Sequence, residues 1–264
     1  VYRFLLTPRW VALHLVVLLV IPAFVFLGRW QFGRFEERSA NSDLVTSNIE
    51  SAPVPLGELA RPGQPVKESD RFRKVVAAGT YDAQHALVVR RRPQDGRNGF
   101  YVLTPLVIGS GQAVLVNRGW VQAGPTADAP PEVPAPPTGE VTVTGRLRPA
   151  ETEENSGLRD RPGLPPGQVL LINPGKIGAS LPYQLVGGYV ELVEQRPESS
   201  AAPAPVPAPD VGAGGGLNLA YGVQWWLFIG IAIGGWVLLI RRELADRRAQ
   251  EDADTPLEAE VSPN

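Results

Sequence analysis

His14 and His85 are the only two histidines in the 264-residue chain, which has no Cys and no Met. That inventory removes disulfides, thiol redox chemistry, thiolate zinc and c-type haem attachment. It also removes the soft sulfur ligands that select Cu(I). A site built on several histidines would need carboxylates or a second subunit, so no metal centre is expected. His14 lies about one turn inside an apolar run. An ionisable group there suits an axial haem ligand or a side chain turned to the interface. His85 follows Asp82 in a turn. The two resemble part of a hydrolytic constellation, but no Ser in a strained Gly-flanked turn accompanies them. A surface turn histidine is the plainer reading, and no enzymatic activity is expected.

Arginine carries the rest of the chemistry. Gly28-Arg29-Trp30-Gln31 with Arg34 fits an interfacial anchor, and its guanidinium forks could also bind lipid headgroups, a cofactor carboxylate or a partner. Asn117-Arg118-Gly119-Trp120 ends a strand pattern. Arg118 there reaches a ligand or partner, or forms a surface ion pair beside a packed Trp120. Arg90-Arg91-Arg92, the longest basic run, reads as a solvated face. With a formal net charge of −2 and no denser basic tract, nucleic acid is not an expected partner.

Two apolar stretches must position these groups. Trp10 to Leu27 is apolar apart from His14 and contains Pro22. Arg3 and Arg9 before it raise a signal peptide, but the run is long and no small-x-small cleavage site follows. A retained transmembrane helix over 10–27, kinked at Pro22, is predicted. Leu217 to Ile240 carries no charge, begins with Tyr221, Gln224, Trp225 and Trp226, and stops at Arg241 and Arg242. Its length spans a bilayer core of about 30 Å. Gly230 and Gly234 give it a small-xxx-small face for the first helix or for another protein's helix. Arg241, Arg242, Arg247 and Arg248 put the end of this helix in the cytoplasm. Both termini are then cytoplasmic and residues 28–220 lie outside.

Between the helices, short β-rich runs alternate with turn residues, and no long amphipathic helix separates them. The expected architecture is two transmembrane α-helices flanking an extracytoplasmic antiparallel β domain, a small barrel or sandwich. Its expected parts start with a cytoplasmic N-terminus (1–9), the first helix (10–27) and an interfacial helix and connector (28–65). The β domain (66–195), a Pro/Ala/Gly linker (196–220), the second helix (221–240) and an acidic, disordered cytoplasmic tail (241–264) follow. Pro125 to Pro137 is expected to be an extended loop, and the linker to let the β domain sit away from the second helix or move against it.

These residues together resemble the Surfeit locus protein 1 family of cytochrome c oxidase assembly factors. Leu27-Gly28-Arg29-Trp30-Gln31 with Arg34 is similar to the family signature after the first helix. Gly79-Thr80-Tyr81-Asp82, Gly99 to Leu106 and Val116 to Val121 look like its central strands, and Tyr221 with Gln224 and Trp225 like the opening of its second helix. The resemblance spans the chain except the linker and tail. It implies a multi-pass protein of a bacterial-type cell membrane or the mitochondrial inner membrane. Its role there would be to bind oxidase subunit I or a neighbouring membrane subunit, aiding haem a insertion or stabilising subunit I. The implied cofactor is haem a, held transiently; by their own chemistry Arg29, Arg34 and Arg118 would contact it near its propionates and His14 as an axial ligand. Trp30, Gln31, Trp120, Tyr221, Gln224, Trp225, Gly230 and Gly234 would be the docking residues, with membrane lipid around them. The alternative is a permanent, non-catalytic accessory subunit of the oxidase or a respiratory supercomplex. A proposed haem ligand of the family is a histidine three residues before that tyrosine, and this chain has Asn218 there.

Overall fold

Pro8 opens the first long helix, α1 (Pro8–Glu50), where its missing N–H would have had no intrahelical partner. A computed structural model describes residues 2–109, 111–124, 131–199, 201–211 and 215–253. In it α1 passes through Pro22 without ending and runs for 43 residues. That is about 65 Å of helix, roughly twice a bilayer core. The helix expected over 10–27 is therefore only the apolar first half of a longer one. The segment 28–65 is not a separate interfacial helix: it continues α1 to Glu50, then enters the β domain.

The elements that follow are β1 (Val54–Pro55), α2 (Leu56–Leu59), β2 (Lys74–Tyr81), β3 (Leu87–Val89), β4 (Gly99–Gly109) and β5 (Gln112–Gln122). They continue with β6 (Glu140–Arg148), α3 (Glu153–Ser156), β7 (Gln168–Val169), α4 (Pro174–Ile177), β8 (Gln184–Arg196) and α5 (Gly215–Ala253). The chain divides into two units, Val1–Asn41 with Gly212–Asn264, and Ser42–Val211.

In the second unit, β2 pairs with β6, β6 with β8, β8 with β5 and β5 with β4. β4 then returns to β2 through Thr80↔Val107 and Tyr81↔Leu106, closing a five-stranded barrel. Gly79 permits the closure, because a Cβ there would collide with the Val107 carbonyl oxygen. β1 adds beside β2, and β3 with β7 extends from β4. The sheet is mixed where an antiparallel one was expected: β1–β2, β3–β7 and β5–β8 are parallel. β8 returns after a long excursion rather than through a hairpin, so its direction is not dictated by a tight turn.

The barrel interior is apolar, with Val75, Ala77, Leu106, Val114, Val116, Val141, Val143, Leu147 and Val190 in one cluster. Leu103, Ala113, Leu115 and Tyr189, on the opposite faces of β4, β5 and β8, meet Ile172, Ile177 and Leu185 from the segment that precedes and opens β8. Both faces of these strands are thus covered, which explains their near-continuous burial. The β domain also begins earlier than residue 66. Leu56 and Ala60 belong to the core, and Asn48 of α1 donates from Nδ2 to the Ser69 and Arg71 carbonyls at 2.8 and 2.9 Å.

The Pro-rich stretches are tied to the barrel. Trp120 and Ala204 exchange backbone hydrogen bonds at 2.6 and 2.8 Å. Arg146 Nη2 donates to the Val206 and Pro207 carbonyls at 2.9 and 3.3 Å. This part of the linker is a strap on the domain that precedes it, which corrects the reading of 196–220 as a loose spacer. α5 then starts at Gly215, earlier than 221, and continues past Ile240 to Ala253. The expected disordered tail beyond residue 253, and the loop residues 125–130, lie outside the described residues.

Candidate functional site

In the helical unit, motifs from opposite ends of the sequence meet. Phe24 contacts Trp225 and Phe228 at ring-centroid distances of 5.3 and 5.8 Å. Gly28 is buried, and a Cβ there would lie 3.2 Å from Trp226 Nε1 and 3.5 Å from Trp225 Cβ. One turn on, a Cβ at Gly222 would come within 3.2 Å of the Phe32 ring. The two glycines therefore let α1 and α5 approach where bulky aromatics fill the gap. Around this joint Trp30, Tyr221 and Trp226 are about half exposed, at 53%, 50% and 48%. Arg29 and Gln224 are exposed and Gln31 is partly so. Six of the sequence-predicted residues, Arg29, Trp30, Gln31, Tyr221, Gln224 and Trp225, thus lie at one level of the helix pair. Exposed amphipathic rings at one level suit the belt where a membrane meets water.

Gly230 and Gly234 are exposed, and no described atom comes within 4 Å of a Cβ at either position. The alternative that this face packs on the first helix is overturned, because α1 uses the neighbouring face through Phe24, Gly28 and Phe32. Val223, Leu227, Ile231 and Leu238 are exposed alongside it.

His14 lies farther along the same pair. Trp236 Nε1 donates to His14 Nδ1 at 2.9 Å, and the Trp10 ring lies tilted against the imidazole at a centroid distance of 5.9 Å. The indole N–H thus occupies the Nδ1 lone pair. Arg34 pairs with Glu37 at 3.3 Å. Asn218, partly buried, offers an amide in place of imidazole.

Arg118 and Trp120 turn inward. Arg118 is 3% exposed and donates to the Pro134 and Ala135 carbonyls at 2.9 and 3.0 Å, with its guanidinium over the Tyr81 ring. Trp120 is 6% exposed and its indole N–H donates to the Arg92 carbonyl at 2.6 Å. Asn117 Oδ1 accepts from Gly119 N at 3.2 Å. Gly119 has φ +137°, and a Cβ on it would strike the Ala204 carbonyl oxygen. The Asn117–Trp120 motif is therefore a clasp for two Pro-rich segments. Arg118 as a haem contact and Trp120 as a docking residue are corrected on this ground. Of the four expected haem a contacts, His14 and Arg118 are engaged inside the chain, Arg34 is in an exposed ion pair and Arg29 is exposed.

Asp82 and His85 do form a dyad. His85 Nδ1 lies 2.6 Å from Asp82 Oδ2, and Tyr183 donates to the same oxygen at 3.0 Å. Burial alone would raise the Asp82 carboxyl, but hydrogen bonds from His85, Tyr183 and the backbone outweigh it and hold it below the ordinary value. Burial and then Asp82 push the Tyr183 hydroxyl up, so it stays a donor. Sequence reasoning saw Asp82 and His85 but missed Tyr183 and Trp236. Their partners are 101 and 222 residues away, beyond any local pattern.

Charge is also buried in the β domain. Glu191, 3% exposed, accepts from Arg148 at 2.5 Å and lies 3.3 Å from Arg146. Burial raises its carboxyl despite both cations. Arg92 pairs with Glu151 at 2.5 Å. Among the described residues no group of three or more metal-ligating side chains occurs.

A family model described as the SURF1 family matches residues 18–230. Uncharacterized SURF1-like proteins of Mycobacterium bovis and Mycobacterium tuberculosis are each 33% identical over 257 residues, covering 96% of this chain and 91% of theirs. A cytochrome oxidase assembly protein of Saccharomyces cerevisiae, SHY1, is 27% identical over 97 residues, 36% of this chain and 24% of its own.

Proposed function

This chain belongs to the SURF1 family, and from that membership we propose that it is a non-catalytic assembly factor of cytochrome c oxidase in a respiratory membrane. The yeast relative's name supplies the process. Two helices long and apolar enough to cross a membrane supply the setting. The observation that carries the docking mode is the open face of α5 at Gly230 and Gly234. A transmembrane helix of an oxidase membrane subunit, subunit I or a neighbour, seats there. Glycines allow close backbone approach, which is what helix association in lipid rewards. The aromatic joint at Gly28 and Trp225 sets the depth of the pair, with Arg29, Trp30, Gln31, Tyr221 and Gln224 at the interface. Arg241, Arg242, Arg247 and Arg248 keep both termini cytoplasmic and the β domain outside.

The role is stabilisation of an oxidase subunit while its metal centres form, with haem a bound by the oxidase rather than by this chain. The test is purification of tagged protein in mild detergent from haem-a-producing membranes. Oxidase membrane subunits recovered in immature complexes, without haem a on the protein alone, are the expected result. Stoichiometric retention in the active oxidase would instead make the chain a permanent subunit. Haem a on the isolated protein would overturn the division of labour.

A further inference from the structure

The run Arg90-Arg91-Arg92, read from sequence as one solvated face, is split by the fold. Arg92 turns inward to Glu151. Arg90 and Arg91 line a cleft of about 810 Å³ together with Arg97 and Arg161. Arg90 N donates to the Val169 carbonyl at 2.8 Å and Arg92 N to the Gly99 carbonyl at 3.1 Å. Arg91 between them takes a left-handed backbone, φ +59°, unusual for a long side chain and tolerated where neighbours hold it. A tight turn at Asp95 and Gly96, closed by the Gln94↔Arg97 bridge, brings in Arg97. Arg161 arrives from the loop before β7.

Among the described residues no Asp or Glu lines the cleft. None of the ion pairs there engages Arg91, Arg97 or Arg161. Arg90 Nη1 donates to Gln168 Oε1. Arg97 lies 5.8 Å over the Trp120 ring and reaches Gln122 Oε1 at 3.5 Å, while Arg90 lies 5.7 Å over Phe100. The floor is apolar, formed by Phe100, Leu164 and Leu170.

We propose that this arginine cleft binds an organic phosphate, its oxyanion held by the four guanidiniums and its apolar portion on the Phe100–Leu170 floor. Guanidinium forks match phosphate oxygens bidentately. Concentrating four cations around one cavity raises local affinity for a multiply charged anion. The cavity is within the size range of small-molecule sites and larger than a lone phosphate needs. The same chemistry is offered by a phospholipid headgroup and by a soluble phosphoester.

Titration calorimetry on the full-length protein in neutral detergent separates these. The probes are inorganic pyrophosphate, short-chain phosphatidylglycerol and short-chain phosphatidylcholine. Saturable, salt-sensitive binding of pyrophosphate or phosphatidylglycerol is expected. The doubly substituted Arg97→Gln/Arg161→Gln protein should bind about tenfold more weakly, as for loss of charge-assisted hydrogen bonds. Arg196→Gln, an exposed ion-paired arginine outside the cleft, should bind as the parent does. Binding of phosphatidylglycerol alone identifies a lipid headgroup, and binding of pyrophosphate alone a soluble phosphoester. No binding of either anion, or equal binding by the double variant with its thermal unfolding unchanged, overturns the proposal.

Discussion

Arg118 shows how a residue type with two available chemistries is resolved by its surroundings. Its fork spans two adjacent carbonyls, Pro134 and Ala135. Arg118→Ala removes both charge-assisted hydrogen bonds from a buried guanidinium and should cost about 2 kcal/mol. Chemical denaturation of the β domain would read this as a lower midpoint. An unchanged midpoint would return Arg118 to the pool of ligand contacts. Asp82 gives a pH prediction. Its folded carboxyl is held below its unfolded value, so its stabilisation is present above the unfolded pKa of about 3.9 and is lost as pH falls through the folded one. Unfolding midpoints measured from neutral to strongly acid pH should show a loss below about pH 4 that Asp82→Asn reduces. His85→Ala should leave oxidase assembly intact, because the dyad with Tyr183 serves the turn before β3. Loss of oxidase activity in that variant, with the protein still present in membranes, would revive a catalytic reading.

Among elements, α1 and α5 divide their glycines between two tasks. Gly28 and Gly222 are filled by the aromatics of the opposite helix, whereas Gly230 and Gly234 face no described side chain. Gly28→Leu should therefore separate the pair, read as increased distance between labels placed on the two helices. Gly230→Leu with Gly234→Leu should keep that distance and lower recovery of oxidase subunits several-fold. Equal recovery would remove the docking face. The strap over β5 makes a third element-scale prediction. Gly119→Ala meets both a positive φ and the Ala204 carbonyl, and should free residues 203–207 to proteolysis.

For the whole molecule, the sequence was legible where signals are local. A long uncharged, mostly apolar run with aromatic residues and arginines at its ends marks each membrane-length helix, because bilayer thickness imposes a length that periodicity does not obscure. Alternating β-rich runs marked the strands, and Glu140–Arg148 falls where alternation puts it. The family motifs were likewise readable as short words. Their jobs were not. That Leu27–Gln31 touches Trp225 and Trp226, that Asn117–Trp120 clasps two Pro-rich segments, and that β4 closes on β2 depend on contacts between distant parts of the chain. Such pairings carry no local spacing. The parallel β5–β8 register and the split of the Arg90–Arg92 run are of the same kind. By itself the sequence determined two apolar helices, a β domain between them, the sulfur-free chemistry and the family. Only the tertiary structure decided which arginines are spent on carbonyls and which remain toward a cleft. It also decided which glycines are filled and that His14 is held by Trp236. A side chain's available chemistry is set by what the fold brings within hydrogen-bond distance of it.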